Sequence, residues 1–460
     1  MCNAGKPTDM SSRPSTLWQR AVDRPLSTVF LLALLVRALN LALLEGHSAF
    51  FAEDDTIAYW KLGADLATPG EFWPTLLSTT DRMPLYPLLL AGIRSMFGDA
   101  PRMVAAVQAV VDAGTCALIA ALGAAISPRI GLVAGILAAL SVTLVVFSTQ
   151  ILTDSVFLFF FTLMLYAGAL FLLHPTPALA AVAGLAGGLA LATRPALGLL
   201  LAAAVPVVFL TALVKRRSLV SAAVAALLFG MAAAAPIAPV LLRNAIRYDS
   251  AALTSQTGDY LAFWIVPLVA ERADGTPYQV SVERMDALYR EALARRDTSA
   301  LSNPFVQSAV KAELAREEMA RLPARAFVAA WLEGAVVNLG SPALLADPRV
   351  RALPKPSFYN TPGAGLWQKA RAYLLDDPGR YQLLLVAGLV SMLPFLALEA
   401  VGFVMLARSL PWAAVLAGGV LAYFLLIGGP VATPKYRLPM EPVLLVLAAI
   451  PLARLLEPKP

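Results

Sequence analysis

The chain alternates long apolar runs with short polar breaks, and these runs set its organisation. Residues 26–44 form the first run long enough to cross a bilayer, whose hydrocarbon needs about 20 apolar residues in a helix. Similar runs follow at 102–126, 130–148, 156–173, 178–192, 196–213, 220–242, 381–407, 411–427 and 439–455. Backbone polar groups in lipid must be satisfied internally, so the pattern predicts an all-α polytopic membrane protein with about ten transmembrane helices. Residues 84–97 are apolar but too short to span. With Pro84 near the first turn, they read as a re-entrant or interfacial helix. Residues 327–339, with Trp331, read as a second surface helix, a short extra span being the alternative. Residues 311–321 are charged and helix-favouring, with Glu317 and Arg321 at i,i+4 spacing.

Composition supports the membrane class. Of 460 residues, 59% are hydrophobic and 14% charged, against about 25% charged in soluble domains. Cys2 and Cys116 exclude a disulfide framework and offer no metal-binding spacing. His47 and His174 are far apart, which argues against a histidine metal site. The net charge of +6 reads as orientation rather than nucleic-acid binding. Residues 1–26 carry Lys6, Arg13, Arg20 and Arg24, and no small-residue cleavage site follows the first apolar run. They are expected to be a cytoplasmic tail. Lys215-Arg216-Arg217, the strongest basic cluster, then falls on the same side, as the positive-inside rule requires. The expected organisation is a tail (1–26), an N-terminal transmembrane module (27–242) with an outer loop at 46–101, an outer region (243–380), C-terminal transmembrane helices (381–455) and a short cytoplasmic tail (456–460).

On that topology, Glu53, Asp54, Asp55, Arg82, Asp154, Arg194, Arg243, Lys435 and Arg437 all sit at outer helix ends. Taken singly, the acids can cap the next helix and the long cations can snorkel to the interface. Taken together, both signs at one depth predict a polar cavity that opens outward. No phosphate-cradling glycine loop is present, and Ala-Gly-Leu-Ala-Gly-Gly at 183–188 reads as close helix packing. Nucleotides are absent outside the cytoplasm, so a group donor has to be carried by the membrane. Arg82, Arg194 and Arg437 could hold a lipid phosphate, and a carboxylate opposite could take a proton from an acceptor hydroxyl. Phosphate leaves without a general acid, and cations need only stabilise the charge that develops on it.

Several motifs carry a resemblance. Glu53-Asp54-Asp55 with Tyr59, then Arg82-Met83-Pro84-Leu85-Tyr86-Pro87, resembles the first outer loop of bacterial GT-C glycosyltransferases. The similarity is to relatives of the dolichyl-phosphate-mannose protein mannosyltransferases and the lipid A aminoarabinose transferase. Thr153-Asp154-Ser155 is similar to their second-loop acidic motif, and Leu191-Ala192-Thr193-Arg194-Pro195 to their L-T-R/K-P/G turn. Pro239 with Arg243-Asn244 resembles P-W-x-x-R-N, with Val240 in place of the usual Trp. Tyr436-Arg437-Leu438-Pro439-Met440-Glu441-Pro442 resembles the R-Y-R-x-P-x-x-P end motif. The resemblance spans residues 27–455.

The resemblance implies a GT-C-like bundle whose outer first loop contains interfacial helices. It implies transfer of a sugar, with inversion, from a polyprenyl-phosphate donor to a glycan, lipid or protein acceptor. The expected location is the periplasmic face of a bacterial inner membrane. Asp55, four residues before Tyr59, matches the catalytic acid, with Asp54 as the alternative because Thr56 stands where many relatives have a second acid. Asp154 matches the second acidic position. Arg82 matches the position that holds donor phosphate, with Tyr59, Arg194 and Arg437 as further donor-side residues. Some relatives bind a divalent metal at their carboxylates; Asp54, Asp55 and Asp154 leave that open, and no metal ligand set is assigned. The rival functions are a transporter or flippase of lipid-linked sugar, and a non-catalytic scaffold.

Overall fold

The computed structural model describes residues 25–51, 54–215, 217–296, 302–355, 368, 371–376 and 378–456, with the backbone alone at Asp54. The N-terminal tail to residue 24, Glu53, Arg216 and residues 457–460 lie outside the described residues. No strand occurs among the described residues; the chain is a succession of helices. Seven are long and apolar enough to cross a membrane: Pro25–Ala42, Pro101–Ala124, Asp154–Leu173, Pro195–Val214, Arg380–Ser409, Pro411–Gly428 and Pro434–Leu455. The all-α polytopic expectation holds.

Two expected straight spans are broken. Pro128–Leu140 and Val142–Ser148 meet at 51°, and Leu219–Ala234 and Ala238–Tyr248 at 60°. At the first break Ser141 is extended and its hydroxyl accepts from Leu144 N, so it caps a new helix. At the second, Pro236 and Pro239 remove two backbone donors. Counting each bent pair as one span gives nine, not the expected ten. The difference is Pro177–Leu191, which has 15 residues. It is short for a crossing, yet it brings the chain back to the level of Asp154, since Arg194 just beyond its end pairs with Asp154 at the start of Asp154–Leu173. Its glycines serve the close packing that the sequence predicts. A Cβ on Gly184 would sit 2.2 Å from Phe229 O, and one on Gly188 2.3 Å from Ala233 O, so this helix lies backbone to backbone against Leu219–Ala234.

The region after Tyr248 folds into further helices, chiefly Tyr278–Ala294, Pro304–Arg321 and Ala324–Gly340. The last of these covers the predicted surface helix and leaves Val328, Leu332 and Val336 exposed along one stripe. Within Pro304–Arg321 the partner of Arg321 is Glu318 rather than the expected Glu317. Glu318 is buried against Tyr278–Ala294, where Arg284 also reaches it at 2.7 Å. Trp331 Nε1 donates to Leu426 O at 3.0 Å and the Tyr260 hydroxyl to Gly428 O at 2.9 Å. These bonds tie the region to the end of Pro411–Gly428 and to the turn that follows it.

Candidate functional site

Asp55 lies in the first turn of the helix Asp54–Ala67, where the helix dipole favours a carboxylate. Asp54 opens the same helix, and its side chain lies outside what is described. Tyr59 follows Asp55 by four residues and therefore shares its helix face. The chain entering this helix is held from two sides: Ile151 N donates to Phe50 O at 3.1 Å, and Arg351 Nη2 to Phe51 O at 3.1 Å.

Arg82 sits in the turn before the helix Leu85–Phe97, the predicted short apolar helix. Its Nη2 donates to Asp55 Oδ1 at 2.9 Å, and its guanidinium lies 5.4 Å from the centre of the Tyr59 ring. A second cation reaches the same carboxylate, with Lys435 Nζ 3.6 Å from Asp55 Oδ2. Asp55 remains 45% exposed, whereas the Arg82 and Lys435 side chains are 15% and 14% exposed. The carboxylate is thus open to an incoming group while its cations are largely walled in. Arg82 Nε is buried and has no hydrogen-bond partner, an uncommon state for a guanidinium N–H.

The turn that carries Arg82 is fixed by neighbours far along the chain. Arg243 Nη1 donates to Leu76 O at 2.9 Å and to Thr79 O at 2.6 Å. Arg243 also donates to Asn244 Oδ1, and Asn244 Nδ2 to Ala252 O at 2.7 Å. Next to this brace, Ser255 N donates to Thr80 O at 2.9 Å. On the other side of Arg82, Leu85 N donates to Ala192 O at 3.1 Å, which brings in the turn bearing Arg194.

Arg194 pairs with Asp154 and lies 5.7 Å from the Phe157 ring. Burial is the largest single influence and works against the Arg194 charge, but the charge and hydrogen bond of Asp154 together with Tyr436 and Tyr59 outweigh it, so the guanidinium holds its proton more tightly than usual. Tyr59 joins the two halves of the cluster. Burial pushes its phenol up to about 12; Arg82 and Arg194 pull the other way, and Asp55 and Asp154 push with burial. Tyr86 packs edge-on against Tyr59 with ring centres 5.3 Å apart, and its hydroxyl donates to Gln108 Oε1 at 2.7 Å. Gln108 Nε2 in turn donates to Ser148 O and Gln150 O, holding the loop before Asp154.

Asp55, Tyr59 and Arg82 thus meet directly, and the Arg194–Asp154 pair lies close enough to Tyr59 to act on its phenol. Arg437 is not among them. Its guanidinium is 3% exposed and bonds Glu441 at 2.8 Å, Glu399 and Leu339 O. Lys435, two residues earlier, is the cation that this segment delivers to Asp55. Lys435 on the outer rim and Tyr86 in the motif of residues 82–87 were given no role of their own in the sequence, and Gln108 and Asn338 carried no sequence signal. Asn338 Nδ2 donates to Val431 O and its Oδ1 accepts from Thr433 N, both at 3.0 Å, which sets the path into Lys435.

With this geometry in view, comparison with known proteins is informative. Residues 81–242 match the dolichyl-phosphate-mannose-protein mannosyltransferase family. That stretch contains Arg82, Asp154, Arg194 and the Arg243 helix up to Leu242; Asp55, Tyr59 and Lys435 lie outside it. The match indicates a membrane glycosyltransferase of the GT-C type, related to mannosyltransferases. No curated protein matches the chain.

Proposed function

We propose that the protein transfers a sugar from a polyprenyl-phosphate-linked donor to an acceptor hydroxyl or amine at the periplasmic face of a bacterial inner membrane. The observation that carries this reading is the half-open Asp55 carboxylate, bonded to Arg82 and gathered through Tyr59 with the Arg194–Asp154 pair. A donor phosphate finds cations there, with the unpartnered Arg82 Nε as an available donor. The acceptor oxygen or nitrogen attacks the anomeric carbon on the face opposite the phosphate, with inversion. The bond from that carbon to the phosphate oxygen breaks, and its electron pair leaves on polyprenyl phosphate. Asp55 takes the acceptor proton. Asp154 holds Arg194, and the pair orients the site.

A divalent metal fits this arrangement poorly. Asp55 and Asp154 each face a cation already, and the described residues bring no three His, Cys, Asp or Glu side chains together. The cations supply the charge stabilisation at the phosphate in this reading. For the side we rely on the positive-inside rule at Lys215-Arg216-Arg217, counting Pro177–Leu191, which returns the chain to Arg194 beside Asp154, as a crossing.

The test is mass analysis of envelope glycans and lipids from cells expressing wild type, Asp55→Asn or no protein. A sugar-modified product is expected with wild type alone. In purified enzyme Asp55→Asn is expected to lower turnover about 10²- to 10⁴-fold, the usual share of a general base. A wild-type turnover in both Asp55→Asn and Asp54→Asn would remove the base. Identical glycans and lipids with and without the protein would remove the transferase reading itself.

A further inference from the structure

We propose that Lys435 binds the donor phosphate together with Arg82 and shares with it the negative charge that grows on the leaving group. This rests on the transferase reading above and adds a residue from the opposite end of the chain to its site. The two cations come from segments more than 350 positions apart, yet they contact the two oxygens of one carboxylate: Arg82 Nη2 on Oδ1 at 2.9 Å and Lys435 Nζ on Oδ2 at 3.6 Å. A phosphate that enters between them meets both.

The number of cations suits the reaction. A phosphate diester carries one negative charge, and the polyprenyl phosphate that leaves carries up to two. Arg82 and Lys435 together supply two positive charges. At the start they face the Asp55 carboxylate and the diester, with the exposed Asp81 carboxylate 3.5 Å from Arg82 Nη1 beside them. When the acceptor proton moves to Asp55, the carboxylate is neutralised, and both cations become available to the phosphate as its second charge appears. The net charge of the group, Asp81 included, is the same before and after the step, which keeps its cost low in a partly dry site. Arg194 faces Asp154 rather than Asp55, and Arg437 is enclosed by Glu399, Glu441 and Leu339 O.

Lys435 is also held in place beforehand. It lies on the short helical segment Pro434–Met440, with Arg437, Leu438, Pro439 and Met440 buried. Asn338 fixes the preceding strand of loop through Val431 and Thr433. Glu399 and Glu441 pin Arg437 from the other side. A lysine is flexible, so a rigid backbone on both sides is what aims its ammonium at a site.

The experiment uses the full-length protein in detergent, wild type against Lys435→Met, Lys435→Arg and Arg82→Met. Affinity is measured for a short-chain polyprenyl phosphate and for the matching polyprenol, and donor KM and kcat are measured alongside. Lys435→Met is expected to weaken polyprenyl phosphate binding about tenfold and to lower kcat about 10²-fold, in the range seen when one charge-stabilising donor is removed. Polyprenol affinity is expected to stay at the wild-type value, and Lys435→Arg to recover most of both losses. Wild-type phosphate affinity in Lys435→Met beside a loss in Arg82→Met would overturn the role of Lys435 and leave the transferase reading standing. Equal affinity of the wild type for phosphate and alcohol would overturn both.

Discussion

Two groups of charges in this protein look alike on paper and differ in kind. Arg37 and Asp112 meet between two membrane-spanning helices with 0% and 2% of their side chains exposed, 2.6 Å apart. Every remaining Arg37 nitrogen is also used: Nη1 bonds Ala139 O, and Nη2 bonds Ala138 O and Cys116 Sγ, both at 3.2 Å. The cluster of Asp55, Arg82 and Lys435 has the same residue types, but its carboxylate is half open and Arg82 Nε has no partner. A closed, saturated pair can hold helices together and can accept nothing new. An open one has capacity left over for a ligand. Charge inside a membrane protein invites a functional reading; here satisfaction, rather than burial, separates the brace from the site. The same distinction weakens the transporter alternative, since the intramembrane charges that it would use are the saturated ones.

The contrast breaks most sharply at Arg37. Arg37→Met leaves Asp112 buried without its cation, and losing one partner of a buried pair costs about 3–5 kcal/mol. Thermal unfolding in detergent should show that loss, while turnover per folded molecule stays at the wild-type value. Arg37→Met combined with Asp112→Leu should regain most of the stability, because an apolar pair of similar volume replaces the charges. A stable Arg37→Met protein that had lost sugar transfer would erase the line between brace and site.

A smaller effect is expected at Arg243, which belongs to neither group but orders one of them. Its guanidinium bonds two carbonyls of the segment before Arg82 and the side chain of Asn244. Lysine keeps the charge and loses the fork that makes several bonds at once. Arg243→Lys should therefore raise donor KM about tenfold, equivalent to about 1.4 kcal/mol, with a smaller change in thermal stability. An unchanged KM would mean that Arg82 holds its place without this brace.

The sequence made some of this readable and hid the rest for physical reasons. Apolar runs of spanning length are visible in any one chain, so the helical membrane fold was legible. The break points were less so, because Ser141 and the prolines 236 and 239 turn a helix without interrupting its apolar pattern. Pro177–Leu191 is apolar throughout, and the close packing that its glycines allow was legible, although its 15-residue length was not. The meeting of Asp55, Arg82, Asp154 and Arg194 was legible through motif order. The choice between Lys435 and Arg437 was not. They stand two apart on a tight helical segment with about three residues per turn, so they point in different directions. Which one faces the site depends on Glu399, 38 positions from Arg437 and part of no motif. Arg37 and Asp112, 75 positions apart, gave no sign of each other.

The finest test of the open cluster is the titration of Tyr59. Burial, with the Asp55 and Asp154 charges, raises its phenol from 10.0 to about 12 against the pull of Arg82 and Arg194. Tyr86, packed edge-on beside it, adds no charge while neutral. In the unfolded chain the phenol ionises near pH 10, so between pH 10 and 12 the unfolded state gives up a proton that the folded state keeps. The stability associated with the neutral phenol is fully present below pH 10, falls across that window and is gone above the folded value. Tyr59→Phe has no proton to lose and lacks this slope. The melting temperature of the variant, measured against wild type at pH 9 and pH 11, should move in the variant's favour at the higher pH. Lysines and other tyrosines titrate in both proteins and cancel in the difference. An unchanged difference would show that Tyr59 ionises as freely as in water, and with it that the space between Asp55 and Asp154 is wet rather than enclosed.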